Sequence, residues 1–125
     1  MKRDYHLIRE ILKILEEKTA PGHMKADDFR IHGYDPQQIG DHLRQLYEAG
    51  FISGEAIRSS TTPERIIDVW PFELTWQGHE FIATARNDSV WRKVRTKLGD
   101  SLLSVPFSVL TTMLIAELER QLGGK

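Results

Sequence analysis

The chain contains no cysteine, which excludes disulfide bonds and thiolate metal sites. No apolar run comes near the roughly 20 residues that a membrane-spanning helix needs. An excess of one charge is also missing. The 17 Lys and Arg against 18 Asp and Glu leave a net charge of −1, which counts against strong non-specific nucleic-acid binding, since that depends on neutralising phosphates. There is no Gly-rich phosphate loop, nucleophile elbow or paired-carboxylate motif. The five histidines, His6, His23, His32, His42 and His79, show neither His-x-x-x-His nor His-Glu-x-x-His spacing. These absences point away from a metal, a cofactor and an enzyme. The start, Met1-Lys2-Arg3-Asp4-Tyr5-His6, has basic residues but no apolar stretch behind them, so it does not read as a secretory signal. A cytoplasmic protein with no membrane partner is expected.

What is present is an ordinary globular composition. The 125 residues are 40% hydrophobic and 28% charged, which suits one domain over 1–125. Leu7, Ile8, Ile11, Leu12 and Leu15 recur at helical spacing and predict a first helix from about Asp4 to Lys18. Thr19-Ala20-Pro21-Gly22 ends it. Residues 23–34 are too polar at Met24 to Asp28 for a firm helix, and Phe29 to Tyr34 alternates like a short strand. Asp35-Pro36 opens the next helix with an N-cap and a proline at its first position. Ile39, Leu43, Leu46 and Tyr47 form its buried stripe, and Gly50 stops it. Phe51 to Arg58 and Ile66 to Phe72 read as two strands, joined by the polar turn Ser59 to Glu64. Thr75 caps a helix from about Trp76 to Asn87, and Asn87-Asp88 breaks or re-caps the chain. A stripe of Val90, Trp91, Val94 and Leu98 follows, then a loop at Gly99 to Ser101. A last helix opens at Ser104 or Val105-Pro106 and runs to about Leu122, with a frayed tail at Gly123-Gly124-Lys125.

Two motifs organise this order. A helix that leaves through Ala49-Gly50 into a strand resembles the exit of a recognition helix into a β-wing. Leu74-Thr75-Trp76-Gln77-Gly78-His79-Glu80-Phe81 resembles the hand-over from a wing to the next helix. The chain therefore reads as α+β, a winged helix-turn-helix-like domain with additional C-terminal helices. The core would span about 1–87 with the wing hairpin at 51–72, and a helical extension would cover about 88–125. These motifs, with Met1-Lys2-Arg3-Asp4, His42 to Ile52 and Asn87-Asp88-Ser89-Val90-Trp91-Arg92-Lys93-Val94, resemble a family of short bacterial and prophage proteins classified as a domain of unknown function. The resemblance spans nearly the whole chain. It implies no activity, and it implies DNA binding only by analogy with winged-helix regulators.

Four groups of residues invite a functional reading. Gln37, Gln38, Asp41, Arg44, Gln45 and Glu48 share the open face of the helix after Pro36. Gln pairs with adenine and Arg with guanine in a major groove, while the two acids repel phosphates; a solvated surface is the plain alternative. Arg58 and Arg65 flank a hydroxyl-rich wing tip that could equally be an unpartnered turn. Between Thr84 and Leu98, Arg86, Arg92, Lys93, Arg95 and Lys97 face a single acid, Asp88. Arg92, Lys93, Arg95 and Lys97 read as phosphate contacts or as stems lying along a buried Trp91. Phe107, Leu110, Leu114 and Leu118, widened by Val109, Met113 and Ile115, make an apolar stripe suited to a homodimer or to packing within the chain. Trp70, Trp76 and Trp91 could form a stacking platform, but packing is the commoner fate of such residues. The leading function is a non-enzymatic nucleic-acid-binding or regulatory protein acting on double-stranded DNA. The rival is a protein–protein interaction module on the same scaffold.

Overall fold

The computed structural model describes residues 3–123. Met1-Lys2, part of the sequence pattern, and Gly124-Lys125, the end of the expected tail, lie outside the described residues. Helix α1 spans Tyr5–Glu17, and the Asp4 carboxylate caps it by accepting from the Leu7 N–H at 3.1 Å. Helix α2 spans Pro36–Glu48. Its capping box is reciprocal: the Gln38 N–H donates to Asp35 at 2.8 Å, and the Asp35 N–H donates to Gln38 Oε1 at 3.0 Å. Two of the amides orphaned at this chain entry are satisfied in that way.

The exit of α2 explains the Ala-Gly pair. Gly50 takes φ 84°, and the Phe51 N–H reaches back to the Leu46 carbonyl at 2.9 Å, closing the helix with a left-handed residue. The chain then forms an antiparallel hairpin of β1, Ile52–Arg58, and β2, Ile66–Leu74. Ile52 pairs with Leu74, Ala56 with Val69 and Arg58 with Ile66, with irregularities at Ser53/Gly54 and Ile57/Arg58. Pro71 sits opposite the first irregularity, where a missing ladder donor is tolerated.

Helix α3, Trp76–Ala85, starts at Thr75. The Thr75 hydroxyl donates to the Gly50 carbonyl at 2.5 Å, which ties the start of α3 to the end of α2. Gly78 makes this junction possible, because a Cβ there would overlap the Phe51 carbonyl oxygen. Asn87 re-caps the chain by accepting from Val90 N–H at 3.1 Å, opening α4 at Asp88–Leu98. Helix α5 is Phe107–Leu122.

Two local expectations are corrected. Phe29 to Tyr34 is not a strand. A short 3-10 turn occupies Ala26–Asp28, and a second turn closes with the Tyr34 N–H on the Ile31 carbonyl at 3.2 Å, with Gly33 at φ 90°. The alternation arose because Phe29 is buried and Ile31 is partly buried on the core, although no neighbouring strand pairs with this stretch. The extended character lies earlier, where the Met24 N–H donates to the Pro71 carbonyl at 2.9 Å. The expected loop at Gly99 is likewise a 3-10 turn, Gly99–Leu103.

The architecture is α+β, with five α-helices and a two-stranded antiparallel sheet among the described residues. Helix α1 lies in the middle, against α2, α3 and β2, while α5 packs across α4 and α3. One core cluster draws on α1, α2, the hairpin, α3, α4 and α5, with Leu7, Ile11, Leu12, Leu43, Val69, Ile82, Val90, Leu110 and Leu114 inaccessible to solvent. Among the described residues no helix is long and apolar enough to cross a membrane.

Candidate functional site

The open ridge of α2 is less free than its sequence suggests. Gln37 is exposed, but the Gln38 side chain is held in the capping box. Arg44 pairs with Asp41 at 3.6 Å, one turn away, and Gln45 lines a cleft beside Leu46 and Ala49. Glu48 is exposed. Gln37 is thus the one base-reading candidate here that is both open and uncommitted.

The hairpin tip is tightly closed. The Ser59 N–H donates to the Arg65 carbonyl at 2.9 Å, and the Arg65 N–H donates to Thr62 at 2.8 Å. Arg58 and Arg65 are therefore brought together at its base, both exposed, with Arg58 within 3.4 Å of the Pro63 carbonyl.

Helix α4 carries the densest positive surface. Arg92, Lys93 and Arg95 are exposed, and none forms an ion pair among the described residues. Lys97 differs, lying 3.7 Å from Glu117. Trp91 is buried, and the cation over its ring is Arg9 of α1, 5.3 Å from the centroid. The neighbours of α4 are α3, α5 and the Gly99–Leu103 turn; those of α2 are the hairpin, α1 and the Ala26–Asp28 turn. The basic helix and the α2 ridge are thus separate surfaces.

The stripe expected to join two copies is occupied within the chain. Leu110 and Leu114 are fully buried, and Phe107 and Leu118 pack partly buried on the same core, because α5 lies across α3 and α4. Val109, Ile115 and Leu122 of the same helix stay exposed. The tryptophans divide. Trp91 is core, as its stripe implies. Trp70 is covered by His23, stacked at 4.8 Å, and by Lys25 at 4.6 Å, and its indole N–H donates to Asp68 at 3.1 Å. Trp76 departs from the expected packing: at the first position of α3 it is 77% exposed.

Three buried polar residues escaped the reading of motifs. Arg9 is 5% exposed. Its Nε donates to the Ala85 carbonyl at 2.6 Å and its Nη2 to the Arg86 carbonyl at 3.0 Å and to Asp88 at 2.5 Å. It therefore ends α3, where a cation suits the helix dipole, and the same contact holds the Asp88 carboxyl below its usual range. His42 is buried in α2. Its Nε2 accepts from the Asp4 N–H at 2.9 Å, so Nδ1 is the donor to the Gln38 carbonyl at 2.8 Å. Tyr34 donates to the Asp4 carboxylate at 2.7 Å; burial and that bond push its phenol well above the ordinary value. Glu117 is 3% exposed. It accepts from Arg120 and Gln121, and those bonds hold its carboxyl down at about 2. The signal for all three was helical spacing: Arg9 falls among Tyr5, Ile8 and Leu12, His42 between Ile39 and Leu46, and Glu117 after Leu110 and Leu114. Each polar group sits in an apolar stripe and each is hydrogen-bonded, as burial requires. Among the described residues no group of three or more His, Asp or Glu is placed to hold a metal ion.

The fold and surface define an α+β protein in which helices pack with a two-stranded hairpin and one outer helix is basic. The chain belongs to the family described as "Hypothetical protein (DUF2513)", whose model matches residues 2–103. It is similar to an "Uncharacterized protein" of Haemophilus influenzae, 36% identical over 111 residues that cover 88% of this chain and 89% of the relative. No solved structure matches it significantly.

Proposed function

We propose that the protein is a non-enzymatic winged-helix protein that binds double-stranded DNA, with a regulatory role in a bacterial or prophage setting. The helix–hairpin–helix order from α2 to α3 supports the scaffold, with β1 and β2 as the wing. The observation that carries the binding is the outward face of α4, where Arg92, Lys93 and Arg95 are exposed and unpaired among the described residues. Three cations on one helix, none of them in an ion pair among the described residues, suit a run of phosphates. Arg58 and Arg65 at the wing tip add a second contact of the same kind. Base readout from α2 is a minor part, because Asp41 neutralises Arg44 and Gln38 caps its own helix.

A second reading rests on a specific observation. The Ala26–Asp28 turn stands where a helix-turn-helix has its bracing helix, and Trp76 is open to solvent. Both suit a protein-interaction module on the same scaffold.

Fluorescence anisotropy with random-sequence duplex DNA separates the two readings. Binding is expected to weaken steeply between about 50 and about 200 mM salt. The triple change of Arg92, Lys93 and Arg95 to Ala is expected to weaken it further and to flatten the salt dependence. No binding by the folded protein at either salt overturns the DNA reading and favours the protein partner.

A further inference from the structure

A cleft of about 280 Å³ opens where the start of α1, the end of α2 and the start of α5 converge. Its walls are aromatic on one side, with Tyr5, Phe51 and Phe107. The Phe51 and Phe107 rings lie 5.0 Å apart at 47°, and those of Tyr5 and Phe107 lie 6.3 Å apart at 41°. Ile8, Leu46 and Ala49 supply the aliphatic part of the lining. The Tyr5 hydroxyl takes no part, since it donates to the Val105 carbonyl at 3.0 Å. Two polar side chains remain on the lining, Arg3 and Gln45. The Arg3 guanidinium lies 5.6 Å from the Tyr5 ring centroid, and no carboxylate among the described residues pairs with it.

We propose that this cleft binds a small aromatic carboxylate, with its ring against Tyr5, Phe51 and Phe107 and its carboxylate on Arg3 and Gln45. An apolar pocket with a few convergent polar groups is the usual form of a small-molecule site. The volume restricts the ligand to little more than one ring, since larger organic ligands fill roughly 300–1,000 Å³. The tilted rings offer edges and faces to an aromatic guest. A single guanidinium matches one negative charge, and its planar fork matches a carboxylate. A phosphate dianion would leave charge unanswered. The cleft lies apart from α4, so the proposal stands independently of the DNA reading.

The test is a titration of the full chain with cinnamate and, in parallel, with its neutral analogue cinnamamide, followed by backbone-amide NMR. Cinnamate is expected to produce saturable shifts at Gln45, Ala49 and Phe51. Cinnamamide is expected to bind about tenfold more weakly, the discrimination that one charged hydrogen bond provides. Arg3→Gln, a change to an exposed side chain, is expected to erase that difference while leaving cinnamamide unaffected. Ala49→Phe fills the cleft and is expected to abolish both titrations with native dispersion retained. The proposal is overturned by cinnamate that causes no saturable shift, by equal affinity of acid and amide for the parent chain, or by shifts confined to α4, which would mark simple attraction to its cations.

Discussion

Arg9→Ala tests the central junction of the molecule. Arg9 is buried between α1 and the break that separates α3 from α4, and it has three acceptors. Two of them, the Arg86 carbonyl and the Asp88 carboxylate, belong to exposed residues, where water can replace a lost donor. The third, the Ala85 carbonyl, belongs to a residue that is 0% exposed, so its lost bond is not restored. A hydrogen bond from a charged donor to such a group contributes about 1.5–3 kcal/mol. Uncovering the Trp91 face costs about 1 kcal/mol more. The expected loss is therefore about 3 kcal/mol, a large part of the roughly 5–15 kcal/mol that holds a domain together, with a fall in melting temperature of roughly 10–20 °C. Urea unfolding followed by far-ultraviolet circular dichroism measures it. Asp88→Ala serves as the comparison. It removes an exposed ion-pair partner but leaves both carbonyl bonds, so it is expected to cost only a small fraction of the Arg9 change. The reasoning fails if Arg9→Ala lies within about 1 kcal/mol of the parent, or if Asp88→Ala matches it, which would place the energy in the ion pair.

Three further perturbations follow from the geometry. Gly78→Ala gains about 1 kcal/mol of helix propensity but places a methyl on the Phe51 carbonyl, and the overlap is expected to win with a net loss of about 2 kcal/mol. Gly40→Ala makes only an ordinary 3.8 Å contact with Ala26 and is expected to stabilise by about 0.5–1 kcal/mol; a loss of similar size in both variants would show that propensity and packing have been misjudged. Glu117 is held at about 2 against an ordinary 4.5, chiefly by hydrogen bonds from Arg120 and Gln121. A carboxyl depressed in the folded state adds stability that is complete above its unfolded value and is lost as pH falls through its folded one. Glu117→Gln is therefore expected to reduce stability at neutral pH and to flatten the decline between about 4.5 and 2. Parallel parent and variant curves across that window would refute the assignment.

Local chemistry made much of the fold legible. Asp4, Asp35, Thr75 and Asn87 each capped the helix their position implied, and Ala49-Gly50 marked the turn into the hairpin. These signals act within a few residues and need no tertiary partner. The strand expected at Phe29 to Tyr34 failed because alternation shows which side chains face inward, whereas a strand also needs a neighbour to pair with. Trp76 failed for the same class of reason: a tryptophan beside a hairpin packs only if a surface stands opposite. The positive face of α4 was visible from composition, whereas Arg44, read as a base contact, pairs with Asp41 one turn away. The arrangement that hides Arg9, His42 and Glu117 depends on carbonyls and side chains that other elements supply, so spacing alone could mark these residues as buried but not name their partners.

The latching of α1 has a consequence for synthesis. Arg9 finds its acceptors 76 to 79 residues further along the chain, and Tyr5 bonds a carbonyl 100 residues away. On the ribosome α1 emerges before these partners, so its buried arginine and the stripe of Leu7, Ile11 and Leu12 have no complete cover until α3, α4 and α5 have been made. Contacts of such long sequence separation form late because a long loop must close before they are rewarded. A nascent chain therefore displays an apolar helix with a buried-type cation until those later helices emerge. Apolar surface left open in that interval is of the kind that makes partly folded chains prone to aggregate.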